Sequence, residues 1–301
     1  MTDSIAAPTP YEVLGVPASV SPSDLRVAYR RMLRLTHPDT GGDPAQFLAV
    51  QSAWERVGDE EARAAYDRGY TLPGSGDAAG CARRAPGGGS ALRARSFGVA
   101  GGLARDEYAR LVADWGGAAG RNPLDPAVVR SAPPELRAVL AMALAQEETE
   151  QLVLHLGMGY IAWHEVAVTG AEPLNHVVLG PSGLYGLRSA DWGRGVSVVR
   201  GDVAGEGISV DEHPLADLAR QCGLLGRSLG VRFTAPVLVV PDAALAEPIV
   251  MITHGPRAGA IVVRRSLLPR VLRDGVHGAE RVSIGRVYDL RTRLLAGLRT
   301  L

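Results

Sequence analysis

The sequence predicts a multidomain chain, with an all-α helical hairpin first and an α/β (α+β) sandwich built on a mixed sheet after it. Three observations predict this. Two stretches near the start carry apolar residues at three- and four-residue steps. Leu25, Ala28, Tyr29, Met32 and Leu35 form the first, and Phe47, Val50, Ala53, Trp54 and Val57 the second. From Thr71 to Gly102 the composition turns to Gly, Ala, Ser and Pro, the signature of a flexible linker. After Gly159 the apolar residues gather into short runs separated by Gly/Pro turns, as in strands. The length of 301 residues fits about two domains.

Residues 1–10 read as a disordered N-terminus, and 11–70 as the first domain. Tyr11–Gly15 is a short first helix, and Ser21-Pro-Ser-Asp opens the second. Between the two amphipathic stretches stand His37, Pro38 and Asp39. Pro38 cannot continue a helix and pushes His37 out of the α region. The second helix therefore stops near Thr36, and Thr36–Asp43 turns the chain back. The result is a helical hairpin with His-Pro-Asp at its tip. Asp59–Tyr70 closes the domain as a fourth helix. Arg26, Arg30 and Arg34 recur every fourth residue on the face opposite the apolar stripe, with Arg31 beside them. Such a basic strip suits an acidic partner surface. No nucleophile is placed to make a triad with His37 and Asp39.

Residues 11–70 resemble the J domain of DnaJ-type cochaperones. The resemblance is carried by Tyr11-Glu-Val-Leu-Gly15, Ala28-Tyr29-Arg30-Arg31, His37-Pro38-Asp39, Ala53-Trp54-Glu55 and Arg63-Ala-Ala-Tyr66-Asp67. It implies an interaction rather than a reaction. The tripeptide and the second helix would dock on a DnaK-type (heat-shock 70) chaperone and stimulate its ATP hydrolysis.

Beyond the linker, residues 103–301 read as a helical lead-in and an α/β domain. Leu103–Trp115 has a helical pattern, Gly116–Pro134 is loop with one helical turn, and Glu135–Gly157 is a longer helix. Strands are predicted at Tyr160–Thr169, Leu174–Gly180, Gly183–Ser189 and Val196–Val203. Pro181-Ser182-Gly183 is a hairpin turn. Leu215–Leu229 is a helix, and Ala235–Pro241 is an apolar run expected of a strand buried on both faces. Ile249–Thr253 and Ala260–Val263 are further strands, and Arg265–Arg273 and Ile284–Leu298 are helical.

The core of this region, 145–273, resembles the nuclease-related domain family, whose fold is similar to restriction endonucleases. The resemblance rests on Leu174-Asn-His-Val-Val-Leu-Gly-Pro-Ser-Gly-Leu-Tyr-Gly-Leu187, followed by Arg188-Ser-Ala190-Asp-Trp192-Gly193. In that family an aspartate and a Glu-x-Lys pair hold a divalent metal and orient the attacking water. Here those positions carry Asn175, Arg188 and Ala190, and no lysine occurs anywhere in the chain. The resemblance therefore implies a catalytically dead nuclease fold, with no metal and no cofactor. Asp191 falls one residue further on and points to the opposite face. Arg188 would meet either upstream carboxylates, Glu147 or Glu150, or a bound phosphate. The salt bridge is the favoured reading, because no basic stripe interleaved with aromatics accompanies Arg188. His155 and His164 have no zinc spacing, and His176 reads as a hydrogen-bonded core residue.

The 32 basic residues balance 32 acidic ones, so no global charge draws the chain to nucleic acid or an anionic membrane. Cys81 and Cys222 lie far apart without metal-ligand spacing, as suits a reducing compartment. The N-terminus lacks a basic segment followed by an apolar core. The most hydrophobic stretch, Val237–Ile252, is broken by Asp242, Glu247 and two prolines, so no membrane insertion is expected. The expectation is a cytoplasmic cochaperone, not an enzyme. Its partners would be a DnaK-type chaperone and a client of unknown identity. The second reading is a nucleic-acid-binding protein that uses its C-terminal domain without cleavage.

Overall fold

In the computed structural model the described residues are 8–36, 42–68, 93–118, 120–276 and 284–301. Their contacts divide them into two units: residues 8–68 with 103–140, and residues 93–102 with 141–301.

In the first unit, α1 (Pro10–Leu14) starts with a capping box. The Thr9 hydroxyl accepts the Glu12 N–H at 3.2 Å, and the Glu12 carboxylate accepts the Thr9 N–H at 2.8 Å. α2 (Pro22–Thr36) is capped by Ser21, which accepts the Asp24 N–H at 3.1 Å. α3 (Pro44–Val57) and α4 (Glu60–Arg68) follow. Tyr11, Leu14, Leu25, Val50, Ala53 and Val57 are buried between α1, α2 and α3. Gly42 returns the chain directly onto the end of α2, where a Cβ would lie 2.3 Å from the Thr36 carbonyl carbon.

α4 clasps the start of the domain. Arg63 donates to the carbonyls of Val20 and Ala18 at 2.7 and 2.6 Å, and its guanidinium lies over the Tyr11 ring. The Tyr11 hydroxyl donates to Asp67 at 2.7 Å. Burial pushes the Tyr11 phenol well above its ordinary value, and the hydrogen bond to Asp67 adds to this.

α5 (Gly102–Trp115) and α6 (Pro126–Ser131) complete this unit. The buried Tyr108 hydroxyl donates to the Pro123 carbonyl at 2.8 Å, which folds the α5–α6 connection back on α5. Asn122, in that connection, hydrogen-bonds Asp67. The sequence reading placed the whole of 103–301 in the second domain. Residues 103–140 instead group by their contacts with the four-helix domain.

The division falls within α7 (Pro134–Leu154), between Leu140 and Ala141. The second unit holds a seven-stranded sheet in the order β1-β2-β3-β4-β7-β9-β8. The strands are β1 (Arg95–Phe97), β2 (Ile161–Val166), β3 (Leu174–Gly180), β4 (Gly183–Ser189), β7 (Ala235–Val240), β8 (Ile249–Met251) and β9 (Ile261–Arg264). β2, β3 and β4 form an antiparallel meander; β1 joins β2 in parallel, and β4, β7 and β9 run parallel. The sheet is mixed, as the sequence predicts. One face packs on α8 (Pro214–Leu229) and α10 (Ile284–Gly297), through Leu218, Leu225, Leu290 and Leu294. The other packs on α7 and α9 (Leu268–Asp274), through Val153, Leu268 and Leu272.

The β3–β4 turn shows why glycine follows Pro181-Ser182. Gly183 has φ +144°, and a Cβ there would fall 2.0 Å from the Thr234 Oγ1 that accepts the Leu184 N–H. Two expectations need correction. The linker was read to 102, but Arg95–Phe97 is a strand of the main sheet. The single strand read at 196–203 is a hairpin, β5 (Val196–Val199) and β6 (Asp202–Gly205), turned at Arg200-Gly201 and separate from the main sheet. Among the described residues no helix is long and apolar enough to cross a membrane.

The Asn122–Asp67 bond yields a prediction. Asn122→Ala removes a partner from a half-buried carboxylate and costs about 1–2 kcal/mol. Amide hydrogen exchange in α4 should speed up by roughly tenfold while the sheet is unchanged. Unaltered exchange in α4 would show that 103–140 adds nothing to the helical domain.

Candidate functional site

On α2, Leu25 is buried and Tyr29 stacks face to face on Trp54 of α3, with ring centroids 4.3 Å apart. These contacts fix the rotation of the helix about its axis. Arg26, Arg30, Arg31 and Arg34 are therefore all exposed on its outer surface. Arg26, Arg30 and Arg31 have no acidic partner among the described residues, while Arg34 Nε donates to the Arg30 carbonyl at 3.2 Å. His37, Pro38 and Asp39 lie outside the described residues.

One member of the predicted apolar stripe is misplaced. Leu35 is 62% exposed, and Thr36 is buried in its stead. Counting 3.6 residues per turn puts Leu35 roughly 80° away from Leu25, at the margin of the stripe. Val27, 63% exposed, and Leu35 flank Arg31 at four-residue steps, so the basic face has an apolar edge. The helical angle alone carried that signal.

In the second unit the three positions that the sequence reading compared with the nuclease-related family fall on β3, on β4 and just beyond it. Asn175 Oδ1 accepts the Ser189 N–H at 3.1 Å. Ala190 is buried in the core beneath α8. Arg188 is half-buried, and it has no ion pair among the described residues. The favoured bridge from Arg188 to Glu147 or Glu150 is thus not formed. Glu150 lies instead 3.6 Å from His164 Nε2, and Glu148 pairs with Arg265. Asp191 is buried and accepts the Gly193 N–H at 2.9 Å.

The sheet contains a polar chain that the sequence reading did not assemble. His164 on β2 and His176 on β3 are register partners, both fully buried, with their Nδ1 atoms 2.7 Å apart. Only one hydrogen fits between those nitrogens, and the surrounding hydroxyls decide whose it is. Thr149 on α7 donates to the Ala145 carbonyl at 3.0 Å, so its oxygen accepts the Ser189 hydroxyl at 2.8 Å. Ser189 must then accept Nε2–H of His176 at 3.1 Å. That leaves His176 Nδ1 bare, to accept Nδ1–H of His164. His164 Nε2 in turn accepts the Ser96 hydroxyl at 2.8 Å. The direction is fixed from β1 to α7.

Ser96, His164 and His176 stand in the connectivity of nucleophile, base and orienting group. Two features make the chain structural instead. Burial lowers the His164 pKa to about 4, which leaves a poor base at neutral pH. The Glu150 carboxylate, 3.5 Å from Ser96 Oγ, opposes the negative charge that acyl transfer would develop there. Among the described residues no group of His, Cys, Asp or Glu is arranged to hold a metal ion.

Comparison with known proteins concerns the first unit. Residues 9–67 match the family model described as the DnaJ domain. Chaperone protein dnaJ 3 of Arabidopsis thaliana is 48% identical over 58 residues, 19% of this chain and 14% of that protein. A tetratricopeptide repeat and J domain-containing co-chaperone of Mycosarcoma maydis is 44% identical over 59 residues, 20% of this chain and 10% of that one. The chain thus spans only about a seventh or less of the length of these relatives. A solution structure of the J-domain of a mouse DnaJ like protein aligns at 27% identity, covering 25% of this chain and 90% of that one, with a TM-score of 0.20.

The histidine pair makes stability depend on pH. Burial depresses both folded-state pKa values, and for His176 the neighbouring His164 lowers it further. Above about 6.5 both rings are neutral folded or unfolded. As pH falls below that value, only the unfolded state takes up the protons. Stability of the second unit should therefore drop by about 1.4 kcal/mol per pH unit for each ring, down to about pH 4 for His164. In an NMR titration the two ring resonances should stay at neutral shifts down to pH 5; a midpoint near 6.5 would contradict the assignment.

Proposed function

We propose that the protein is a J-domain cochaperone. It binds a DnaK-type (heat-shock 70) chaperone through His37, Pro38 and Asp39 and through Arg26, Arg30, Arg31 and Arg34, and stimulates the partner's ATP hydrolysis. One observation carries the reading. The four arginines form a solvated strip on α2, which the Tyr29–Trp54 stack and buried Leu25 hold in orientation immediately before the His-Pro-Asp tripeptide. Guanidinium forks displayed on a preoriented helix suit carboxylates on an acidic partner, and they speed encounter through long-range attraction. The match of residues 9–67 to the DnaJ domain supports the same reading.

In this proposal the protein has no catalytic residue of its own, and hydrolysis occurs in the partner. The α/β unit is a nuclease-like domain without its chemistry, which selects a client or a location in the cytoplasm. Its residues support that. Asn175 Oδ1 is engaged by a backbone N–H, Ala190 offers no ligand atom, and Arg188 carries a cation in place of a carboxylate. They do not fit a divalent ion.

The test is steady-state ATP hydrolysis by a DnaK-type chaperone with and without the full chain. Stimulation should be several-fold and should vanish in His37→Gln. Arg30→Glu should raise the concentration for half-maximal stimulation by roughly tenfold, an effect that shrinks as salt is added. Equal stimulation by His37→Gln would refute the assignment.

A further inference from the structure

Away from both sites, a groove of about 680 Å³ opens in the second unit between the end of α8 and α10. Arg227, in the last turn of α8, and Arg232, just beyond its Gly230 cap, stand on one bank. Arg286 and Arg293, seven residues apart on one face of α10, stand on the other. All four are exposed. Arg293 is committed to the structure: it donates to the Gly230 carbonyl at 3.0 Å and pairs with Asp289 at 3.2 Å. Arg227, Arg232 and Arg286 have no acidic partner among the described residues, and Asp289 is the one acid in the groove wall.

The floor is shaped to admit a ligand. Gly223 leaves one side of α8 without a side chain, the Val231 carbonyl closes the space at Gly226, and Phe233 and Leu290 add apolar surface. Three unpaired guanidinium groups around one groove repel each other, and a protein tolerates that readily where an anion offsets it. Their planar forks match phosphate oxygens in pairs. A single carboxylate would satisfy only one of the three.

We propose that this groove binds a ligand bearing consecutive phosphates, whose oxygens bridge Arg227, Arg232 and Arg286 while its organic part lies on Phe233 and Leu290. A nucleoside triphosphate and a run of single-stranded nucleic-acid backbone share this chemistry. The inference is independent of the cochaperone reading, since no residue of α2 or the tripeptide takes part.

The experiment uses the full chain and two probes. Fluorescein-labelled dodecathymidylate is followed by anisotropy across a salt series, and ATP by calorimetry. The triple variant R227Q/R232Q/R286Q is compared with R110Q/R194Q/R270Q, which removes the same charge from arginines in surface ion pairs. Thermal melts establish that both variants fold. The expected result is binding of at least one probe, weakened tenfold or more in the groove variant alone. Loss of three contacts should also flatten the slope of log K against log salt by about 2 for the oligonucleotide. Tighter ATP binding identifies the nucleotide as the source, and tighter oligonucleotide binding the polymer. No binding of either probe, or equal weakening in both variants, overturns the proposal.

Discussion

Two neutral imidazoles inside a sheet covered on both faces have no water to turn to, and His164 and His176 solve this by sharing one hydrogen. Such a contact works only if each ring has a partner of the right polarity at its far nitrogen. Ser189 must accept and Ser96 must donate, and Ser189 is fixed in that role by Thr149, itself fixed by the Ala145 carbonyl one helical turn back. The requirement therefore ties α7 and four neighbouring strands into one arrangement. It also accounts for β1, whose three residues bring Ser96 to the open edge of β2. A slip of one residue between β2 and β3 would turn one ring to the α8 side, into an apolar core, and leave the other without its partner.

The elements legible in the sequence are those with local causes. β3 and β4 declare themselves through an apolar run on each side of Pro181-Ser182, β7 through Pro-Val-Leu-Val-Val, and α8 through its spacing and the Gly230 cap. What escaped depends on pairings between distant residues. β1 reads Arg-Ser-Phe in a stretch otherwise rich in Gly, Ala and Arg, and only its partner makes it a strand. The β5–β6 turn uses Arg200 at φ +51°, a residue that seldom marks such a turn. The histidine pair could not be assembled because the connection from β2 to β3 runs over seven residues and does not set the register. The grouping of 103–140 with the helical domain involves contacts far apart in sequence, Asn122 with Asp67 among them, and Asn122 is unremarkable in its own neighbourhood. At the proposed docking face the arginines were legible from a four-residue period, and the exposure of Leu35 was a matter of angle.

The two units share a principle in how they hold functional groups. On α2, aromatic stacking and a buried leucine set the orientation of the arginines, of which Arg26, Arg30 and Arg31 have no acidic partner among the described residues. Between α8 and α10, the bare side at Gly223 and one aspartate line a groove between arginines of the same kind. Rigid apolar contacts supply the geometry, and unpaired charge is left at the surface where a partner can meet it. A chain without lysine makes each of these groups a planar, permanently charged fork.

The position of β1 in the chain has a mechanical consequence. Whatever pulls on the polypeptide from the N-terminal side of residue 93 loads this strand before any other part of the sheet. β1 is three residues long and lies at the sheet edge, held by the backbone bonds from Ala94 to Leu154 and from Arg95 to Tyr160 and by its ladder with β2. Peeling it away takes the Ser96 hydroxyl from His164 and opens an imidazole nitrogen to water, where a ring held neutral by burial regains its affinity for protons.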